Sequence, residues 1–413
     1  MTVGGGLGEV SEEVGRGVPA RPPSSADIRR FNLTRVLQLV RGNAPLTRSA
    51  LVTASGIGRV TVLDIVAELQ EWGFVRESGF APTGRAGGRP ARALEMDDTR
   101  LAVGVLRVDA DHAALECASL QGRTLFSRRI DLDVSQMGPD RILEDLAKAV
   151  EEARAFIASA GTRLVRVSVG CPAYVDASAG VVISSYALGW SEVPVVAELE
   201  RLVGNGVSFS LDRLANLAIH AERRAGGWPD EQGLVLLFGD VGIGGAYQRN
   251  AEVLHGDSGV GTEFGHIVVE QGGRPCFCGK EGCLETYVGL GPLAKALGVE
   301  PEVERVGLVA HMLKALQNPD AKIREEAARQ GVRLAQGVQS LMSVFDPRVV
   351  IFGGHLSALA PLIMPSFWTE FERARDRYSR AGVCVSTLGT SAVMAGGIES
   401  AIQHLCLMPW VVE

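Results

Sequence analysis

The sequence contains no run of about 18 apolar residues of the kind that spans a bilayer. Its first residues, MTVGGGLGEVSEEVGRG, are glycine-rich and acidic where a secretory leader would carry basic residues and then an apolar core. Neither a membrane span nor a signal peptide is expected, and the chain reads as cytoplasmic. Cysteine is sparse and odd in number, seven in 413 residues, and three of the seven crowd between 276 and 283. That excludes a disulfide framework and suits metal ligation in a reducing compartment. Cys117, Cys171, Cys384 and Cys406 lie in apolar runs and read as buried thiols. A positive surplus is also missing. With a formal charge of −7, the surface as a whole cannot coat nucleic acid, so any DNA contact must come from a locally basic segment. No short-period repeat is present. What the chain does have is size: 413 residues, 46% of them apolar, are enough for two or three compact domains and exclude a single small module.

Residues 1–25 mix Gly, Pro, Ser and Glu without periodicity and are expected to form a flexible arm. The pattern changes at Asp27. Leu33, Val36, Leu37 and Val40 recur at helical spacing, and Gly42-Asn43 ends the run. Thr47 can cap a short second helix through Ser55, Gly56 supplies a turn, and a third helix over about 58–72 buries Val62, Ile65, Val66 and Leu69. Phe74 to Glu77 and Arg92 to Met96 alternate like two strands around a Gly- and Arg-rich turn over 79–90. Residues 26–98 therefore read as a winged helix-turn-helix. From Ala26 to Glu95 there are ten arginines against six acidic residues, a local charge of +4. Arg59, Val60, Thr61 and Asp64, at the start of the third helix, are placed where such proteins touch base edges, and Arg48 is counted with them. Arg85 and Arg89 in the wing suit a narrow minor groove. A small protein-interaction module with a solvated charged loop is the alternative.

From Leu101 onward short apolar runs alternate with helical stretches, which implies an α/β fold. Strands are expected at 101–108, 165–169, 181–183, 234–238, 267–269 and 349–352, with helices at 142–159, 215–225 and 320–345. One segment carries distinctive chemistry. His266, Cys276, Cys278 and Cys283 supply one imidazole and three thiols, a set that closes a tetrahedral zinc site, and Gly279 and Gly282 let the backbone curl around it. With no open position such a zinc, one per chain, is expected to be structural.

These residues also carry a resemblance. Glu263-x-Gly265-His266 followed by Cys276-x-Cys278-Gly279-x-x-Gly282-Cys283-Leu284-Glu285 resembles the signature of the ROK family of repressors and kinases. Gly242-Ile243-Gly244-Gly245 resembles that family's phosphate-side glycine turn, and Asp346 to Gly354 its adenosine-side strand. The resemblance covers about Ile28 to Pro409. It implies a two-lobed, actin-like or sugar-kinase-like domain over 99–413, with lobe 1 at about 99–225 plus a C-terminal helix at about 395–413, and lobe 2 at about 226–394 with the zinc loop. It further implies that Glu263, His266 and Glu285 face a sugar, the carboxylates having as an equal alternative the orientation of the zinc loop.

Departures from the family's kinases shape the functional expectation. Where those kinases carry Asp-x-Gly-x-Thr after the first strand, this chain has Arg107-Val108-Asp109-Ala110. Where they carry an Asn-Asp-Ala-Asn stretch with its catalytic base, it has Arg213-Leu214-Ala215-Asn216. Leu214 cannot accept a proton, a loss of typically two to four decades in rate, and Asp212 is expected to project elsewhere. The sugar walls change too, at Ala173, Ala187 and Arg213. The expected function is a nucleoid-associated ROK-type transcriptional regulator without enzymatic activity. It would bind a double-stranded operator as a homodimer or homotetramer, with a sugar or other small molecule as effector. A ligand-independent or protein-controlled regulator is the alternative, and an active sugar kinase a further one.

Overall fold

A computed structural model describes residues 24–80, 92–132, 137–240, 242–299, 305–374 and 380–412. The first helix, α1 (Ser25–Asn43), opens on a reciprocal capping box: the Ser24 hydroxyl accepts from the Asp27 amide, and the Asp27 carboxylate accepts from the Ser24 amide. Helix α1 and its cap thus lie partly inside the segment assigned to the arm. A two-residue strand β1 (Leu46–Thr47) leads into α2 (Arg48–Ser55), capped by the Thr47 hydroxyl. Gly56, at φ 70°, turns the chain into α3 (Arg59–Glu71), and the two helices meet at 117°. Strands β2 (Val75–Phe80) and β3 (Arg92–Met96) pair antiparallel, with β1 on the far side of β3. Leu37, Leu51, Ile65, Leu69, Phe74 and Leu94 are fully buried and join helices to hairpin. The turn that would carry Arg85 and Arg89 lies outside the described residues.

Two five-stranded sheets follow. The first is built from β4 (Leu101–Val108), β5 (His112–Ser119), β6 (Thr124–Asp131), β7 (Arg163–Cys171) and β11 (Ser208–Arg213), in the order β11-β7-β4-β5-β6. Helices α4 (Pro139–Ser159) and α5 (Val195–Val203) cover it, and β8 (Tyr174–Asp176), β9 (Val181–Ser185) and β10 (Trp190–Val193) form a small antiparallel sheet beside it. Helix α6 (Leu214–Gly226) leads to the second sheet. That sheet comprises β12 (Leu234–Gly239), β13 (Ile243–Arg249), β14 (Glu252–Val253), β15 (Val349–Gly354) and β16 (Gly382–Val385), in the order β14-β13-β12-β15-β16. Its helices are α7 (Leu290–Ala296), α8 (Arg305–Gln317), α9 (Ala321–Phe345) and α10 (His355–Ala374). Parallel strands buried on both faces, such as the wholly buried β12 and β15, read as unbroken apolar runs and need helices on each side.

The last helix, α11 (Ala392–Leu407), lies against α6 and β4. A Cβ at Gly396 would run into the Leu217 carbonyl, and one at Gly397 into Val105, so the two glycines set this close approach. The C-terminal end of α11 meets the head. Thr34 donates to the Leu407 carbonyl at 2.8 Å, and the Arg30 guanidinium lies 5.1 Å from the centre of the Trp410 ring.

Two expectations are corrected. Residues 267–269 form no strand. The chain there makes a single bridge between Val268 and Cys283, because the Val269 amide and the Ile267 carbonyl are spent on the returning cysteine loop. Cys384, on the edge strand β16, is half-buried rather than buried.

Candidate DNA-reading head, metal cluster and interlobe cleft

The free end of α3 is its N-terminus. Arg59, Val60, Thr61 and Asp64 are all exposed, Val60 at 73%, while Val62, Ile65, Val66 and Leu69 are fully covered. Further along the helix, Asp64, Glu68 and Glu71 line a groove of about 880 Å³ against Arg29, Arg100 and Arg163. The acidic half of the helix therefore faces the body of the protein, and Arg59 and Val60 face outward. Arg48 is committed to Glu77 at 2.6 Å, and Glu77 also holds Arg92 at 2.7 Å. Both cations pull the Glu77 carboxyl below its usual range. In this conformation Arg48 braces the root of the hairpin.

The metal ligands come together as the spacing implies. One ligand atom from each of His266, Cys276, Cys278 and Cys283 lies within 4.8 Å of the others. Cys276 Sγ is 3.5 Å from His266 Nδ1, and the Cys278 and Cys283 sulfurs are 3.7 Å apart. Ligand bonds of about 2.3 Å to sulfur and about 2.0 Å to nitrogen give tetrahedral edges close to these values, so the donor set fits zinc. Gly279 and Gly282 have φ of 86° and 81°, the left-handed conformation that closes the loop. Glu285 joins the cluster, with Oε1 2.9 Å from Cys276 Sγ and 3.2 Å from His266 Nδ1. Its Oε2 lies toward Gly242, so the carboxylate borders both the cysteine loop and the glycine turn.

Glu263 takes a different partner. Arg213, at the end of β11 and 6% exposed, donates to Glu263 Oε1, to the Thr262 hydroxyl at 2.6 Å and to Asn216 Oδ1 at 3.3 Å. Burial raises the Glu263 carboxyl, and Arg213 opposes that shift. Leu214 is 5% exposed and packs beneath β7 at Gly170, inside the apolar core. Asp212 lies beside this cluster rather than away from it. Its carboxylate accepts from Asn216 Nδ2 at 2.6 Å and meets His255 Nε2 at 2.9 Å, and that bond raises the His255 imidazole above its ordinary value. Local pattern does not reveal the Asp212–His255 pair, since its members are 43 positions apart in sequence.

A second charged cluster gathers around Arg107, near the end of β4. Its guanidinium makes a forked pair with Asp109, at 2.7 and 3.1 Å, and reaches Asp240 at 3.5 Å. His112 Nε2 is 3.4 Å from Asp109, and His355 Nε2 is 3.8 Å from Asp240. Arg107 and Asp109 belong to the first sheet and its end, while Asp240 and His355 follow β12 and open α10, so charge links the two lobes. Burial lifts the Asp109 carboxyl and lowers the His355 imidazole. The cluster could have been suspected from Arg107 and Asp109 alone, two residues apart at the C-terminal end of the central strand.

A profile of the ROK family matches residues 106–403, most of the chain. The chain belongs to the ROK family. Its relatives within that family include a xylose repressor of Caldicellulosiruptor bescii, 22% identical over 397 residues, covering 92% of this chain and 98% of the relative. A glucokinase of Thermotoga maritima is 30% identical over 260 residues, 57% of this chain and 80% of that enzyme. Among solved structures, a ROK family transcriptional regulator described as a homologue of the E. coli MLC protein matches with a TM-score of 0.77 at 20% identity, over 93% of this chain and 99% of that one. The repressor aligns through head and body together, whereas the glucokinase match spans little more than half of the chain. The two-lobed ROK fold preceded by a helix-turn-helix head is thus the architecture of this chain.

Proposed function

We propose that this member of the ROK family is a DNA-binding transcriptional regulator whose body has given up phosphoryl transfer and serves as a sensor and assembly domain. The observation that carries the reading is the pairing of an outward-facing helix-turn-helix with a kinase-like cleft in which Leu214 lies in the core and Arg107 is locked to Asp109. Full-length similarity to a protein named as a xylose repressor supports it. Arg59, Val60 and Thr61 read base edges, Asp64 turns toward the groove against the body, and Arg48, Arg85 and Arg89 add backbone or minor-groove contacts. The body pairs two heads so that they meet a palindromic operator, and a sugar or sugar derivative in the cleft near Glu263 and Glu285 sets their spacing. The protein works in the cytoplasm on the nucleoid.

His266, Cys276, Cys278 and Cys283 hold one structural zinc per chain, which fixes the loop carrying Glu285. Cys276→Ser should release one zinc equivalent per chain in a metal assay and lower the melting temperature. Full stability after verified zinc loss counts against this role.

The regulator reading is tested with purified full-length protein by fluorescence anisotropy on DNA from upstream of its own gene, at about 150 mM salt. Sequence-selective binding is expected, with a ratio over random DNA of at least about 10³. Equal affinity for both DNAs, or turnover of ATP with a hexose, sinks it.

A further inference from the structure

We propose that the effector is a sugar acid, and that Arg213 reads its carboxylate while Glu263 holds that place when no ligand is present. This rests on the cleft being the effector site, as proposed above. Arg213 is a buried cation, and a buried cation needs a counterion. Glu263 supplies one through a single oxygen, Oε1 to one terminal nitrogen, although a guanidinium fork matches both oxygens of a carboxylate. The Nε of the same guanidinium is buried with no hydrogen-bond partner. The arginine is therefore held but not saturated.

An acid can exchange with Glu263 without change of charge at Arg213, and the displaced Glu263, partly open to solvent, becomes an acceptor for a ligand hydroxyl. Further hydroxyl partners stand nearby in Asp212, His255 and Asn216, whose bonds to one another keep them in place. A neutral sugar offers no such exchange. It meets a Glu263 already engaged by Arg213, and Leu214, withdrawn into the core, offers it nothing. Specificity then follows from the difference between the two ligand classes.

The test is calorimetry on full-length protein with matched pairs: xylose and xylonate, glucose and gluconate, glucose and glucuronate, with glucose 6-phosphate as a further arm. At least one acid should bind tenfold or more tightly than its neutral parent. Arg213→Gln should remove that preference. Arg213→Lys, which keeps the charge and the fold but not the fork, should reduce it. Glu263→Gln should tighten acid binding about three- to tenfold, because the internal competitor is gone. If Glu263 instead serves as a primary hydroxyl acceptor, the same variant weakens binding.

Neutral sugars binding as well as their acids, the phosphate binding better than any acid, or no binding in any arm overturns the proposal. Selective DNA binding is measured in parallel on the same preparation. Its loss removes the regulator reading, whereas selective DNA binding with a neutral-sugar preference removes only this inference.

Discussion

Leu214 stands where the family's kinases carry a proton acceptor, and it lies in the apolar core. The side chain fills space under β7 beside Gly170, where an aspartate would bury a charge among apolar neighbours. Leu214→Asp should therefore destabilise the protein by at least about 3 kcal/mol, seen as a lower urea midpoint, without creating ATP turnover. Turnover appears in a coupled assay only if the backbone at the start of α6 can still aim a carboxylate into the cleft. Arg107 makes that outcome harder still, since its pairs with Asp109 and Asp240 occupy the other end of the site. A measurable hexose-dependent rate in the variant would show that the cleft is intact as a catalyst and merely lacks its base.

Among the elements, α3 and α11 make contrasting predictions. On α3 the division between an outward N-terminal end and an acidic, body-facing end assigns DNA contact to the former. Arg59→Ala should weaken operator binding by about 10- to 100-fold, equivalent to roughly 1–3 kcal/mol, while Glu71→Ala should change it little. Anisotropy titrations with both variants decide this, and equal losses reject the division. On α11, burial and the nearby Arg166 hold the His404 imidazole down at about 4, below its ordinary 6.5. The unfolded chain takes up a proton below about pH 6.5 that the folded chain refuses until about pH 4. Stability is thus present above pH 6.5 and declines as pH falls toward 4. His404→Gln should flatten that decline relative to the wild type in urea melts, and parallel curves would exclude the role.

The same contrast explains what could be read in advance. Helices α1, α3 and α9 announce themselves because their buried residues recur at helical spacing, and the cysteine cluster because its ligands lie close in sequence. Ile267 to Val269 misled because β-branched residues signal a strand even where their backbone bonds go to the cysteine loop. The cleft was only half legible. Arg213, Asp212, His255 and Glu263 come from a strand end and two separate stretches of loop, and no local pattern links them.

At the scale of the whole molecule, the cleft and the head are joined by a short mechanical path. Helix α6 begins at Leu214, one residue beyond Arg213 in the cleft, and its last turn carries Arg224. At Gly396 it packs backbone to backbone against α11, which Gly397 in turn sets close against Val105 of β4. Glu399 on α11 then binds both Arg224 of α6 and Arg41 of α1, with only 18% of its side chain exposed. If ligand changes the lobe angle, as the proposed function requires, one carboxylate shared by three helices lies on the path to the head. Coupling of this kind requires an element whose position both sites bias, and the Glu399 joint is where that is tested. Glu399→Gln keeps the shape and removes the charge, and because Arg41 is itself only 17% exposed it should cost about 1–3 kcal/mol of stability. It should raise amide exchange in α1 while leaving α9 unchanged, and it should shrink the effect of ligand on operator affinity. By linkage, the effect of operator on ligand affinity must shrink by the same factor. If exchange in α1 stays at the wild-type rate and the ligand effect is preserved within twofold, the signal to the head does not run through Glu399.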